Sequence, residues 1–251
     1  MIKIINFFFV FITISGFSQG IINTESSLRE ISSGFNFYSS LDGDIKKGNI
    51  DLIEINSSII FSYKFKNALI RLINGYEYLE EDGEVEANDF STHLRVNILD
   101  ENLNSLFLFT QLQSAKSIFQ KRRNLLGIGY RFRILKKNKS NYFDIAPGFF
   151  TENETYDFNE VETIIFNTRF SLNNYFNLSL LEKLSLDCVT YFQINSKKID
   201  DYRLYFEPKL IYEMNKVNFY LKYSSKFHST PYINIKSKDQ DLMFGIEINI
   251  N

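Results

Sequence analysis

Ser91 and His93 stand two residues apart, and Ser229 directly follows His228. A hydroxyl beside an imidazole is the starting material of acyl transfer, provided that the base reaches the hydroxyl proton and a third group orients the base. On an extended chain, positions two apart share a face, so Ser91 and His93 point the same way. The plain reading is polar residues of a strand (Ser91, His93) and of a loop (His228, Ser229). Those two histidines are the only ones in the 251-residue chain, and neither has a His or Cys at ligand spacing, so no metal site is expected. The single cysteine, Cys188, cannot form an internal disulfide and reads as a small apolar strand residue. No phosphate-binding glycine loop, paired-cysteine motif or hydrolase elbow occurs. No catalytic, cofactor-binding or metal-ligating residue is therefore expected, and the chain is expected not to be an enzyme.

The charged residues say more, because they fall on alternate positions. In Ala87–Leu99, Phe90, Thr92, Leu94, Val96 and Ile98 share one face, while Asp89, Ser91, His93, Arg95 and Asn97 share the other. Near the C-terminus, Leu242, Phe244, Ile246, Ile248 and Ile250 oppose Asp241, Met243, Gly245, Glu247 and Asn249. Strict period-two alternation is the mark of a strand with two unlike faces. The same reading gives about twelve strands, near Ile31–Ser40, Ile50–Phe65, Ala68–Leu79, Ala87–Leu99, Ser105–Ser114, Arg123–Leu135, Asn141–Glu152, Val161–Leu172, Leu184–Ile194, Tyr202–Met214, Val217–Phe227 and Asp239–Ile250. Many exceed the roughly five or six residues usual for soluble strands and suit the roughly nine to eleven of a tilted membrane strand. The intervening segments alternate between short ones, such as Lys66-Asn67 and Asn215-Lys216, and longer polar ones, such as Glu80–Glu86, Ala115–Arg122 and Asn153–Glu160. Membrane barrels alternate their connections in this way. Aromatic residues near strand ends, among them Tyr63, Phe65, Tyr76, Tyr78, Phe132 and Phe227, suit interfacial girdles.

The expected fold is all-β, a transmembrane antiparallel up-and-down barrel with its apolar face outward. The polar faces then supply the lumen. Its candidate lining includes the acids Glu54, Asp89, Asp144, Asp187, Glu207 and Glu247. The bases are Arg71, Arg95, Arg131, Arg133, Arg169, Arg203 and Lys209, with His93 beside them. Mixed signs fit either a polar pore for small solutes or a lumen filled by its own ion pairs, and the near-equal mix leans towards the second.

Residues 1–18 read as a signal peptide: Lys3, an apolar run Phe7–Ile14, and small residues before a cut at Ser18/Gln19. The apolar run is too short to span a bilayer as a helix. Residues 19–251 form the barrel domain. The formal net charge is −2, with 28 basic and 30 acidic residues, which argues against a nucleic-acid binder. The expected location is the outer membrane of a Gram-negative envelope, and the expected partners are its lipids and the barrel-assembly machinery.

Particular motifs carry a family likeness. Lys47-Gly48-Asn49-Ile50-Asp51 leads into a strand, Gly75-Tyr76-Glu77-Tyr78 follows, then Leu126-Gly127-Ile128-Gly129-Tyr130-Arg131-Phe132, and later Phe143-Asp144-Ile145-Ala146-Pro147-Gly148-Phe149. Their order and spacing resemble the salt-induced outer-membrane protein family that carries domain of unknown function 481. The likeness runs from about Ser32 to Asn251, with Lys47 in place of a Thr and Ile145 or Ala146 in place of a Gly. It implies an outer-membrane barrel without an assigned reaction and carries over no catalytic residue. Gly127 and Gly129 on the inward face read either as room for bulky residues opposite or as a strand bend. The functional expectation is a structural or narrow small-solute channel role. The alternatives are a lipid-acting hydrolase, for which Ser91 and His93 face the wrong way, and a secreted soluble β protein.

Overall fold

The computed structural model describes residues 32–47, 51–138, 141–214 and 216–250. The expected signal segment, residues 1–18, lies outside the described residues, as does Gly48–Ile50 of the family-like start. The described residues form twelve strands: β1 (Gly34–Lys46), β2 (Leu52–Phe65), β3 (Ala68–Glu81), β4 (Glu84–Leu99), β5 (Ser105–Ala115), β6 (Gln120–Asn138), β7 (Asn141–Phe158), β8 (Val161–Leu181), β9 (Leu184–Asn195), β10 (Tyr202–Met214), β11 (Val217–His228) and β12 (Lys238–Ile250). Each strand pairs antiparallel with its sequence neighbours, and β1 pairs with β12 from Phe37↔Ile250 to Asp42↔Gly245. The sheet is a closed barrel. Closure leaves no unpaired edge, which a medium without water requires.

The alternation read from the sequence sorts outside from inside. On β4, Phe90, Leu94 and Ile98 are exposed, whereas Asp89, Ser91, His93, Arg95 and Asn97 are buried. The same inversion runs around the barrel: Ile55, Ile59, Phe61 and Tyr63 of β2 and Leu242, Phe244, Ile246 and Ile248 of β12 are exposed. A water-soluble protein does not present such a continuous apolar wall. This wall excludes a soluble secreted β protein.

Several strands run further than the sequence suggests. Segment Asn153–Glu160, read as a loop, is the end of β7 and a two-residue turn, Asn159-Glu160, with φ of 53° and 63°. Segment Glu80–Glu86 is likewise paired strand around Asp82-Gly83, with φ of 50° and 83°. Two successive positive φ values are what a tight hairpin matched to strand twist needs, and Asp-Gly is its usual sequence. β8 continues past Leu172 to Leu181 because Asn173, Tyr175 and Asn177 point inward, where polar side chains are normal. The strict long–short alternation of connections therefore fails at β3–β4 and β7–β8. The connections after β1, β3, β5, β7, β9 and β11 share one end of the barrel, called the far end, and the longer of them are 196–201 and 229–237. The opposite end, called the terminal end here, carries both ends of the described chain.

Gly127 and Gly129 make room. A Cβ on Gly127 would strike the Phe109 ring and come within 2.7 Å of Phe150 Cβ, and one on Gly129 would strike the Phe107 ring and meet the Pro147 carbonyl oxygen at 2.7 Å. Bulky interior side chains lie over both glycines, which is the first of the two readings. Gly129→Val is expected to destabilise the barrel by about 1–3 kcal/mol through overpacking. Urea unfolding of the barrel refolded into lipid vesicles measures this, and an unchanged midpoint would show that Phe107 does not lie over Gly129.

Candidate functional site

The interior of the barrel is where the chain concentrates chemistry, and it has three parts. The first is an ion network near the far end, on β6 to β11. Glu152 of β7 receives three arginines: Arg123 of β6 at 2.7 Å, Arg169 of β8 at 2.5 Å and Arg203 of β10 at 3.1 Å. Glu154 pairs with Arg123 at 3.2 Å and Arg203 at 2.9 Å, and also accepts from Gln120 and Tyr156. Arg169 reaches on to Asp201, in the 196–201 connection, at 2.9 Å. His228 of β11 stands 2.9 Å from the other Asp201 oxygen. Tyr232, in the 229–237 connection, donates to Asp201 at 2.7 Å and accepts from Arg169 at 2.6 Å and Asn167 at 2.8 Å. Three arginines thus face three carboxylates, and all six side chains are at most 5% exposed. Burial pushes the Asp201 carboxyl up, but hydrogen bonds from His228, Asn195 and Tyr232 and the charge of Arg169 outweigh it and hold it well below the usual carboxylate range. Two connections of the far end are tied by this network to the barrel wall.

The second part is the waist and terminal half. Phe107, Ala146, Tyr175, Val189, Tyr191 and Tyr205 form a buried cluster, with Phe109 and Tyr142 packed against it. Tyr38, Ile60 and Ile73 make a second cluster on β1–β3. Cations lie on the rings: Arg95 is 3.9 Å from the centre of Phe107, Arg131 4.5 Å from Tyr175 and Arg133 4.4 Å from Tyr142. Arg131 and Arg133 share Asp144, which is wholly buried. Lys209 pairs with Glu247 at 2.5 Å, and Tyr38 donates to the same carboxylate at 2.7 Å. The walls come so close here that residues of β4–β5 and of β8–β9 line one void of about 60 Å³.

The third part is a larger cavity of about 190 Å³ in the far half, between β1–β4 and β10–β12. Asp42, Glu77, Asp89 and Asp241 line it together with Lys222 and Lys226.

A family profile described as "Protein of unknown function, DUF481" matches residues 41–250. The chain belongs to the DUF481 family. No curated protein matches it. Among solved structures, the translocator domain of the autotransporter NalP from Neisseria meningitidis aligns with a TM-score of 0.50 at 9% identity, covering 89% of this chain and 91% of that one. The NanC porin aligns with a TM-score of 0.49 at 10% identity, over 86% of this chain and 100% of that one. The KdgM porin in complex with disordered oligogalacturonate gives 0.46 at 10%, over 84% and 99%. At such identities the likeness is one of fold: this DUF481 chain is a barrel of the outer-membrane type. The family description names no salt response.

In the DUF481 barrel the other residues singled out from the sequence also lie inside. Glu54 accepts from Asn56 at 2.9 Å, Asp187 from Asn177, and Glu207 from Tyr205. Asp89 accepts from Ser117, which stands in the 3-10 turn Lys116–Ile118 after β5. Arg71 donates to Asn97 at 3.4 Å, and His93 Nδ1 is 3.1 Å from Gln111 Oε1. His228 is not a loop residue but the buried end of β11. The Ser229 hydroxyl donates to the Asp200 carbonyl at 2.5 Å and accepts from the Tyr202 N–H, so it does not meet His228 as a nucleophile would. Sequence reasoning passed over Arg123, Glu152, Glu154, Asp201 and Tyr232. Glu152, Glu154 and Tyr156 keep the parity of Asp144, Ala146, Gly148 and Phe150, so carrying the alternation to Glu152, the last residue of the strand as read, and four residues beyond it would have placed them inside. Asp201 and Tyr232 lie in connections, where no periodicity marks them.

Removing one partner from a buried ion network leaves charges uncompensated and costs about 3–5 kcal/mol. Glu152→Gln should therefore lose that much in urea unfolding. Lys47→Ala, which breaks the exposed pair with Asp51 at 3.1 Å, should change stability by less than about 1 kcal/mol. Because the Asp201 carboxyl is depressed in the folded barrel, its contribution is fully present above the unfolded carboxylate value of about 3.9 and is lost as the pH falls below it. The deficit of Asp201→Asn against the native chain should be widest near neutral pH and narrow on acidification below about pH 4. A deficit that does not change with pH would refute the assignment.

Proposed function

We propose that this protein spans a bacterial outer membrane as a barrel whose lumen is closed at rest, with a structural role in the envelope and no reaction of its own. The burial of interior charge carries the reading. In a water-filled pore the lining side chains touch water. Here Arg71, Arg95, Arg131, Asp144 and Arg169 are between 0% and 5% exposed, although they face the centre of the barrel. The void at the waist is small, about 60 Å³, and is lined by side chains of β4–β9. The exposed apolar wall supports lipid as its surroundings, and barrels of this type keep their termini and short turns on the periplasmic side. The far end then faces outward. Ser91 and His93 point away from lipid, which supports the absence of lipid hydrolysis.

A second reading, a narrow channel for small solutes, is favoured by the cavity of the far half. It needs the waist to open.

Single-channel recording of the refolded barrel in a planar bilayer separates the two. The native chain is expected to be silent at moderate voltage. Tyr191→Ala with Phe107→Ala, which empties the waist, is expected to give discrete conductance steps. Regular steps from the native chain would overturn the closed-lumen reading in favour of the channel.

A further inference from the structure

Closure gives every strand two neighbours, but the ladders differ in length. β1 pairs with β2 from Gly34↔Lys64 to Lys46↔Leu52, and β11 with β12 from Val217↔Ile248 to Phe227↔Lys238. Between β1 and β12 the ladder covers only Phe37↔Ile250 to Asp42↔Gly245. Towards the far end the two strands then part. Residues 43–46 keep a ladder with β2 alone and residues 238–244 with β11 alone, among the described residues.

The register tells which backbone groups face this fork. The His228 N–H donates to the Ser237 carbonyl, just before β12. Successive residues of a strand turn their N–H and C=O to opposite sides, so Leu242, Phe244 and Ile246 turn theirs away from β11. Ile246 meets its partner Leu41, whereas Leu242 and Phe244 face the fork. By the same alternation Gly43 and Ile45 face it from β1. Leu242, Phe244 and Ile45 belong to the exposed apolar wall, and backbone groups without partners are costly at the level of lipid chains.

Two glycines stand where the ladder stops. A Cβ on Gly43 would strike the Glu54 carbonyl oxygen, so β1 lies close upon β2 there. A Cβ on Gly245 would come within 2.6 Å of the Tyr220 ring and 2.7 Å of Asp42 Cβ. Tyr220 and Lys222 of β11 use that space to cross β12 and hold Asp42, the hydroxyl by a hydrogen bond and the ammonium at 3.2 Å. This clasp grips the last pair of the ladder. Asn56 of β2 donates to the Met243 sulfur of β12 at 3.7 Å, so side chains still bridge the two banks inside. The cavity of about 190 Å³ reaches both banks, with Asp42 and Asn56 on one and Asp241 and Met243 on the other.

We propose that the β1–β12 seam is a lateral gate between this cavity and the lipid. Open, as in the structure, it joins the cavity sideways to the far half of the bilayer. Closed, the ladder continues in the same register, Gly43 against Phe244 and Ile45 against Leu242, and the backbone groups of both strands find partners. Gly43 is the hinge, because it has no side chain to fix the course of β1. The clasp on Asp42 keeps the parting from running down to the terminal end. The gate rests on the membrane placement proposed above and not on the state of the waist.

The chain has no Trp, so one introduced indole reports alone. The full mature barrel, with Cys188→Ser, is refolded into phospholipid vesicles with and without bromine on the acyl chains, and the ratio of the two fluorescence intensities is read. Met243→Trp places the indole inside, beside the fork. It is expected to be quenched like the outward Phe206→Trp, whereas Tyr191→Trp, inside at the waist, is not. Adding Ile45→Cys and Leu242→Cys should give a disulfide on mild oxidation, since zipped strands bring such a pair within bonding range. That disulfide should abolish the quenching, and reduction should restore it. Met243→Trp no more quenched than Tyr191→Trp, a disulfide that does not form, or one that leaves the quenching unchanged would each overturn the gate. An unquenched Phe206→Trp would overturn the membrane placement itself. If Met243→Trp does not refold, the Ile45→Cys, Leu242→Cys pair with Met243 retained decides: a disulfide supports the gate, and its absence overturns it.

Discussion

The charges inside this barrel have to be compensated inside it, by opposite charges, hydrogen bonds or aromatic rings. The outer wall is apolar, so the polar half of each strand can only face inward. At the waist and along β6–β11 most of the interior space is taken by side chains, and a void of about 60 Å³ is left among them. A buried ion is tolerable only when its partners and hydrogen bonds replace its hydration. Glu152 shows the rule at its strictest, with three guanidinium groups around one carboxylate. Arginine suits the task because its planar fork donates to several oxygens at once and keeps its charge when buried.

The constraint reaches the connections. Asp201 and Tyr232 belong to segments outside the strands, yet Arg169 and Arg203 would be incompletely satisfied without them. Arg169 is bound by Asp201 and Tyr232, and Arg203 lies 5.8 Å from the Tyr232 ring centre. The far end is therefore ordered by the same electrostatics that fills the lumen. In contrast, the exposed pair Lys47–Asp51 is solvated and contributes little. Aromatic rings complete the interior where charge pairs do not, and Gly127 and Gly129 give the space for Phe109 and Phe107.

The twelve strands and the side each residue faces were legible in the amino-acid order, because a period of two is a local property of an extended chain. Phe90 against Asp89, or Phe244 against Glu247, needs no knowledge of the rest of the molecule. Where the reading stopped short, the cause was the lumen itself. Asn153–Glu160 looks like a loop because its inward residues are Glu154 and Tyr156. A polar interior removes the contrast between loop and strand. The close turns at Asp82-Gly83 and Asn159-Glu160 were missed for the same reason.

By itself the sequence determined the barrel, its inside-out polarity and the membership of most interior charges. It could not determine which charges meet. Arg203 and Glu152 are 51 residues apart and lie on β10 and β7, which do not pair. They touch because the sheet curves shut and its register carries side chains of non-adjacent strands to a common depth. Partner choice depends on that closure and on the stagger between strands, both of which are properties of the whole barrel. For the same reason the side-by-side placement of Glu77 and Asp89, and the filling of the waist by Phe107, Tyr175, Tyr191 and Tyr205, were decided only by the tertiary structure.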